Sequence, residues 1–150
     1  MKSVPAKRGI ILGIIGLFIF GYAEVWGADW KYFSSTDLYK CFYYAESMTR
    51  YTDIMGGGSR NIVRVWIKLE YTEKGIDGMV KKFGKEYENL SYSLQLWEIH
   101  CSLKKQQILS IKEYSVEGNV LNTKPTKSLS KWKSISRESV GESLYKAVCK

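Results

Sequence analysis

The chain has 150 residues, 45% hydrophobic and 14% aromatic, which excludes a disordered protein and leaves room for one domain with a real core but not two. Tyrosine (11) and tryptophan (5) are heavily used and proline (2) is scarce, a balance that leans toward sheet. The formal net charge of +8 makes the protein basic without making it a polycation, and it favours anionic partners.

Lys2, Lys7 and Arg8 form a positive N-terminal region, followed by 15 uncharged, mostly apolar residues from Gly9 to Ala23. Small residues at Ala23, Gly27 and Ala28 then offer exits. This is the layout of a secretory signal peptide. The run falls short of the roughly 20 residues that a spanning helix needs. Residues 1–28 are therefore expected to be a signal peptide, with a retained N-terminal anchor as the alternative and the one route to membrane contact. Residues 29–150 are expected to form a single domain.

Asp29–Phe33 and Leu38–Tyr44 are short aromatic strand candidates; in the second, Tyr39, Cys41 and Tyr43 share one face. Met55–Arg60, with three consecutive glycines, is a break. Asn61–Tyr71 is the clearest strand: Val63, Val65, Ile67, Leu69 and Tyr71 alternate with Arg64, Lys68 and Glu70, the pattern of a strand half-buried against a core. Trp66 falls on the wet face, either covered or available to a partner. From Gly75 the period changes, and Ile76, Met79, Val80, Phe83 and Tyr87 make one helical stripe, weakened by Gly78 and Gly84. Leu90–Cys101 and Gln106–Tyr114 read as two strands joined by a hairpin loop; Trp97, Ile99 and Cys101 share a face in the first, and Leu109 and Ile111 in the second. A turn at Glu117–Asn119, a short strand from Val120 to Thr123 and a lysine-rich loop up to Trp132 follow. Ser139 and Glu142 have capping-box spacing ahead of a short helix lined by Val140, Leu144, Ala147 and Val148. The fold class is α+β: a single antiparallel sheet of about five to six strands, one mid-chain helix and a short C-terminal helix packed on it.

No motif names a reaction. His100 and Cys101 are neighbours on a strand, so their side chains point to opposite faces and cannot form a dyad; His100 is expected on a surface. The cysteines and the lone histidine lack metal-ligand spacing, and Gly56–Gly58 lacks the layout of a phosphate loop. Glu70, Glu73, Asp77, Glu86, Glu88, Glu98 and Glu113 read as surface acids. No catalytic residue, metal or cofactor is therefore assigned. In an exported protein two of Cys41, Cys101 and Cys149 pair, and spacing leaves all three pairings open. The candidate binding surface is Trp66 with the lysine groups Lys81, Lys82 and Lys85, and Lys104 and Lys105. Export argues against nucleic acid and leaves extracellular proteins or anionic envelope polymers as partners.

Several motifs recur in one order: W-x-x-aromatic at Trp30–Phe33, F-Y-Y-x-x-S at Phe42–Ser47 and I-V-R-V-W-I-K at Ile62–Lys68. Y-E-N-L-S-Y-S-L at Tyr87–Leu94, W-E-I-H-C ending at Cys101 and S-V-G-E-S-L-Y-K-A-V-C at Ser139–Cys149 complete it. Taken together they resemble the bacterial surface-adhesin protein E family over nearly the whole chain after residue 28. The resemblance implies a small exported protein of a Gram-negative bacterium, in the periplasm or on the outer surface; with no catalytic motif, the expected function is a non-enzymatic, adhesin-like binding module, and the alternative is an envelope accessory protein without a dedicated ligand. The resemblance also implies an antiparallel sheet with a C-terminal helix, homodimerisation as in the type member, and a Cys101–Cys149 disulfide. Cys41 is extra to the pattern, free or linking two chains. Ala45 stands where the family pattern has an acidic residue.

Overall fold

A computed structural model describes residues 29–52, 61–124 and 131–150. The leader, the Met55–Arg60 break and most of the lysine-rich loop before Trp132 lie outside the described residues. The strands are β1 (Trp30–Ser35), β2 (Tyr39–Tyr44), β3 (Thr49–Tyr51), β4 (Ile62–Tyr71), β5 (Leu90–His100), β6 (Lys105–Ser115), β7 (Val120–Lys124) and β8 (Lys133–Ser134). The helices are α1 (Glu73–Phe83) and α2 (Val140–Val148). All strand pairings are antiparallel and run in the order β1-β2-β4-β5-β6-β7, with β3 also on β4 and β8 also on β6. The structure is α+β, as the alternating and 3.6-period patterns predict.

β4 is central because its apolar residues alternate without a break. Val63, Val65 and Ile67 are fully buried, and Leu69 nearly so. Trp97 and Ile99 of β5 extend this face, and Leu144 and Val148 of α2 close over it. A bulge in β6 modifies the expected facing: Leu96 pairs with Ser110 but Trp97 pairs with Ile108, so Leu109 is the extra residue. Ile108, and not Leu109, packs on the core.

β2 and β3 together border β4, interrupted by a single 3-10 turn at Ala45–Ser47. The interruption would strand a backbone donor on β4. Ser47 repairs it: its Oγ accepts from Trp66 N–H at 3.0 Å and donates to Tyr44 O at 2.7 Å.

α1 starts at Thr72, whose Oγ1 accepts from Gly75 N–H at 3.1 Å, and stops at Gly84, whose φ of +114° ends the helix. The helix thus ends one turn short of the full stripe. Tyr87 reaches the core from a separate 3-10 turn, Lys85–Asn89, and Phe83 is 40% exposed beside it. Gly75 lies where the first turn of α1 crosses the β1–β2 connection, and a Cβ there would collide with the carbonyl oxygen of Leu38.

A nine-residue helix such as α2 is marginal alone. Four contacts hold it. Ser139 Oγ caps Glu142 N–H at 3.1 Å. The Glu142 carboxylate meets Lys104 Nζ at 3.2 Å. Arg50 donates to the Val148 carbonyl at 2.7 Å, where the helix dipole favours a cation. A disulfide joins Cys101, just beyond β5, to Cys149, the helix C-cap. The capping box is only half formed, because Glu142 accepts from Glu138 N–H instead of turning back to Ser139. Cys41 is fully buried among the core residues, closed to an intermolecular bridge, and burial pushes its thiol up to about 12.

Two substitutions on one helix should therefore act in opposite directions. Gly78 has open space around it, so Gly78→Ala should stabilise by about 0.5–1 kcal/mol. Gly75→Ala should destabilise by about 1–3 kcal/mol, because the obstacle is backbone. Urea unfolding of the two variants checks the pair. Cys149→Ser opens a loop spanning 48 residues, worth about 4 kcal/mol in the chain-entropy model, and should lower the melting temperature markedly in calorimetry.

Candidate functional site

The pairing register sorts side chains onto two faces. Residues directly opposite in the ladder share a face, so Phe42, Lys68, Leu94 and Lys112 form one cross-sheet row. Lys40, Glu70, Tyr92 and Tyr114 form the next row, and Trp66 and Leu96 lie in another. Trp30 pairs with Tyr44, and Tyr32 with Phe42. This face is opposite the one on which α2 and the Tyr87 turn pack. It is an open sheet surface unusually dense in aromatic rings.

The rings are organised in pairs: Trp30 with Tyr44 at 5.5 Å, Tyr32 with Phe42 at 5.9 Å, and Tyr92 stacked on Tyr114 at 4.9 Å and 13°. Lys68 Nζ stands between two of these pairs, 5.3 Å from the Tyr92 ring and 6.0 Å from Trp30, and 3.0 Å from Glu70. Around it lies a groove of about 830 Å³, walled by Trp30, Tyr92 and Leu94 and rimmed by the β6–β7 turn at Val116–Gly118. That volume is within the range of small-molecule sites.

The other end of this face is tied up internally. Arg64 Nε and Nη2 both reach Glu98 Oε2, at 3.0 and 2.9 Å, and Gln107 donates to Oε1 at 2.7 Å. Glu98 is only 3% exposed, which corrects the expectation of a surface acid. Burial raises its carboxyl above the ordinary range, opposed by the Gln107 hydrogen bond.

The core face carries buried polar groups of its own. Trp97 Nε1 donates to Gln95 at 2.8 Å, and Gln95 donates to Ser93 at 3.1 Å. Glu113, also buried and not a surface acid, bonds the Tyr87 hydroxyl; burial and that carboxylate push the phenol up to about 12. On the other side of β5 from Ile99, His100 is buried as well, which corrects the expectation of a surface position; its Nδ1 accepts from Leu103 N–H at 3.2 Å and its ring is edge-on to Trp132. These groups make their hydrogen bonds inside the fold, except that Glu113 Oε2 is buried without a partner among the described residues. Among the described residues no group of three or more His, Cys, Asp or Glu is placed to hold a metal ion.

The six residues marked as a binding surface are not all on one face. Trp66 is half-buried on the open face. Lys81 and Lys82 end α1, and Lys85 begins the turn that carries Tyr87 to the core face. Lys104 is engaged by Glu142 and lies 5.5 Å over the Tyr145 ring, while Lys105 pairs with His100 in the hairpin. The cations that accompany the aromatic rings are instead Lys40, Lys68 and Lys112. For Lys40 and Lys68 the signal in sequence was the alternation within β2 and β4; Lys112 belongs to β6, and the alignment of one strand on the next was not legible.

The family model for surface-adhesin protein E matches residues 30–150. The chain belongs to the surface-adhesin protein E family. The match spans every described strand and helix, from the first residue of β1 to the segment beyond α2. No curated protein and no solved structure matches the chain. The adhesin E assignment is to a family of surface adhesins, so the relevant chemistry is recognition of an external partner. No helix among the described residues is long and apolar enough to cross a membrane.

The Arg64–Glu98 pair supplies a prediction about this face. Arg64→Ala leaves a buried carboxylate with Gln107 as its remaining partner and should cost about 3 kcal/mol near neutral pH. Because the folded-state pKa of Glu98 is raised above its ordinary value of 4.5, folding favours the protonated form, and its contribution falls as pH rises through the folded value. The Arg64→Ala penalty should therefore shrink as pH is lowered toward 4.5, which thermal melts across pH would measure.

Proposed function

We propose that this protein is an exported, non-enzymatic binding module that holds an external partner on the open aromatic face of its sheet. One observation carries the reading: three aromatic pairs and three lysines lie together on the sheet face opposite the one that packs α2. Large aromatic side chains bury much area at little entropic cost and dominate recognition surfaces. Tyr32 is 58% exposed and Val116 74%, as a contact rim requires. The family supports adhesion and a Gram-negative source, and the N-terminal segment supports export through a cleaved signal peptide. Partners are extracellular proteins or anionic envelope polymers. Homodimerisation through other surfaces is compatible with this use of the face.

A second reading, an envelope accessory protein without a dedicated ligand, is separated by one experiment. Purified protein is titrated onto immobilised extracellular-matrix proteins and onto isolated envelope material. Three forms are compared: wild type, Tyr44→Ser/Tyr92→Ser, and Lys81→Ala/Lys82→Ala/Lys85→Ala. The aromatic variant should lose about tenfold or more in affinity while the helix-lysine variant binds as wild type. Equal losses in both, or no binding by wild type, would favour the accessory role.

A further inference from the structure

The groove beside Lys68 has a composition that the rest of the open face lacks, and it points to a narrower ligand class. We propose that it is a subsite for a neutral sugar, a short oligosaccharide or the glycan of a glycosylated partner. The inference rests on the reading of the open face as the binding surface and specifies what one end of that face recognises.

The charges come first. Lys68 is matched by Glu70 at 3.0 Å, and Glu117 adds a second carboxylate at the rim. The groove therefore has no positive excess, although the protein carries +8 overall. A polyanion would meet carboxylates there and is disfavoured. A free cation would meet an ammonium group already seated between Trp30 and Tyr92. A neutral ligand avoids both penalties.

Hydrogen-bonding capacity comes second. An ammonium group only donates and an ionised carboxylate only accepts, whereas a hydroxyl does both. Lys68 and Glu70, held side by side, therefore offer complementary partners to a single hydroxyl or to two adjacent ones. Ser91 and Glu117 line the same groove. Adjacent hydroxyls, each both donor and acceptor, are what a sugar ring presents along its edge.

The walls come third. The aromatic face is electron-rich, and the C–H bonds on the flat side of a pyranose ring carry partial positive charge, so ring stacks on ring. Trp30 and Tyr92 supply such walls on either side of the polar pair. The stacked Tyr92–Tyr114 pair holds one wall rigid before any ligand arrives.

The test uses the full chain as recovered from the producing cells. Maltotetraose, cellotetraose, chitotriose and a heparin hexasaccharide are each titrated by calorimetry and by nuclear magnetic resonance shift mapping. At least one neutral oligosaccharide should bind, perturbing Trp30 and Tyr92, with affinity unchanged within about twofold in about 0.5 M NaCl. Trp30→Ala should weaken it by about tenfold. Because Trp30 opens an edge strand, Glu70→Gln serves as the second variant: it keeps the side-chain shape and should weaken binding by about fivefold with the melting temperature unchanged. Lys82→Ala should have no effect. Binding of the heparin fragment alone, lost in high salt, would overturn the proposal. So would failure of all the neutral sugars while aromatic-face variants still abolish binding to immobilised partners, a result that leaves the wider reading of the face standing.

Discussion

Nine consecutive residue pairs join β4 to β5, from Ile62–His100 to Glu70–Tyr92. This ladder decides which side chains become core and which become surface. A slip of one residue along it would send Val63, Val65 and Ile67 to the open side and bring Arg64, Trp66 and Lys68 inward. The cost of that exchange is large, since three fully buried aliphatic side chains would be traded for two charges. The register is thus specified strongly by the buried face, and the open face inherits its arrangement from it. The aromatic pairs and the groove exist in their present geometry because the other side of the sheet demands this alignment.

The faces are finished by different means. Aliphatic packing under α2 gives way, toward the other end of the sheet, to the hydrogen-bonded groups around Ser93, Gln95, Glu113 and Tyr87. Buried polar groups of this sort are costly unless satisfied, and each one that finds a partner fixes the geometry of its neighbours. The open face has less burial to rely on. There the sheet itself is kept continuous by Ser47, which substitutes a hydroxyl for the missing ladder partner of Trp66. One side chain thereby lets β2 bend away and β3 resume the border of β4.

Much of the architecture was legible because period is a local property. The alternation of Asn61–Tyr71, the stripe beginning at Ile76 and the cap spacing at Ser139 each identify an element without reference to any other part of the chain. What depends on alignment between elements was not legible. The β6 bulge moved Ile108 into the place expected for Leu109. Burial of Glu98, Glu113 and His100 depends on neighbours distant in the chain, so short-range pattern could not separate them from surface groups. The candidate site shows the same division. Trp66 and its wet-face neighbours were visible within β4, but Trp30, Tyr92 and Tyr114 join them only through strand order. Lysines clustered in sequence drew attention to Lys81, Lys82 and Lys85, whereas lysines gathered in space are Lys40, Lys68 and Lys112.

Trp30 is both a wall of the groove and the first residue of β1, and among the described residues β1 is an edge strand paired with β2 alone. Tension applied through the residues that precede it would enter the sheet at the Trp30–Tyr44 pair and meet a single ladder. The hydrogen bonds there load one after another, as in a zipper. Occupancy of the groove would add contacts to the very residue where peeling begins. A ligand held at this end of the sheet would then also act as a clasp, raising the force at which the first strand separates from the domain.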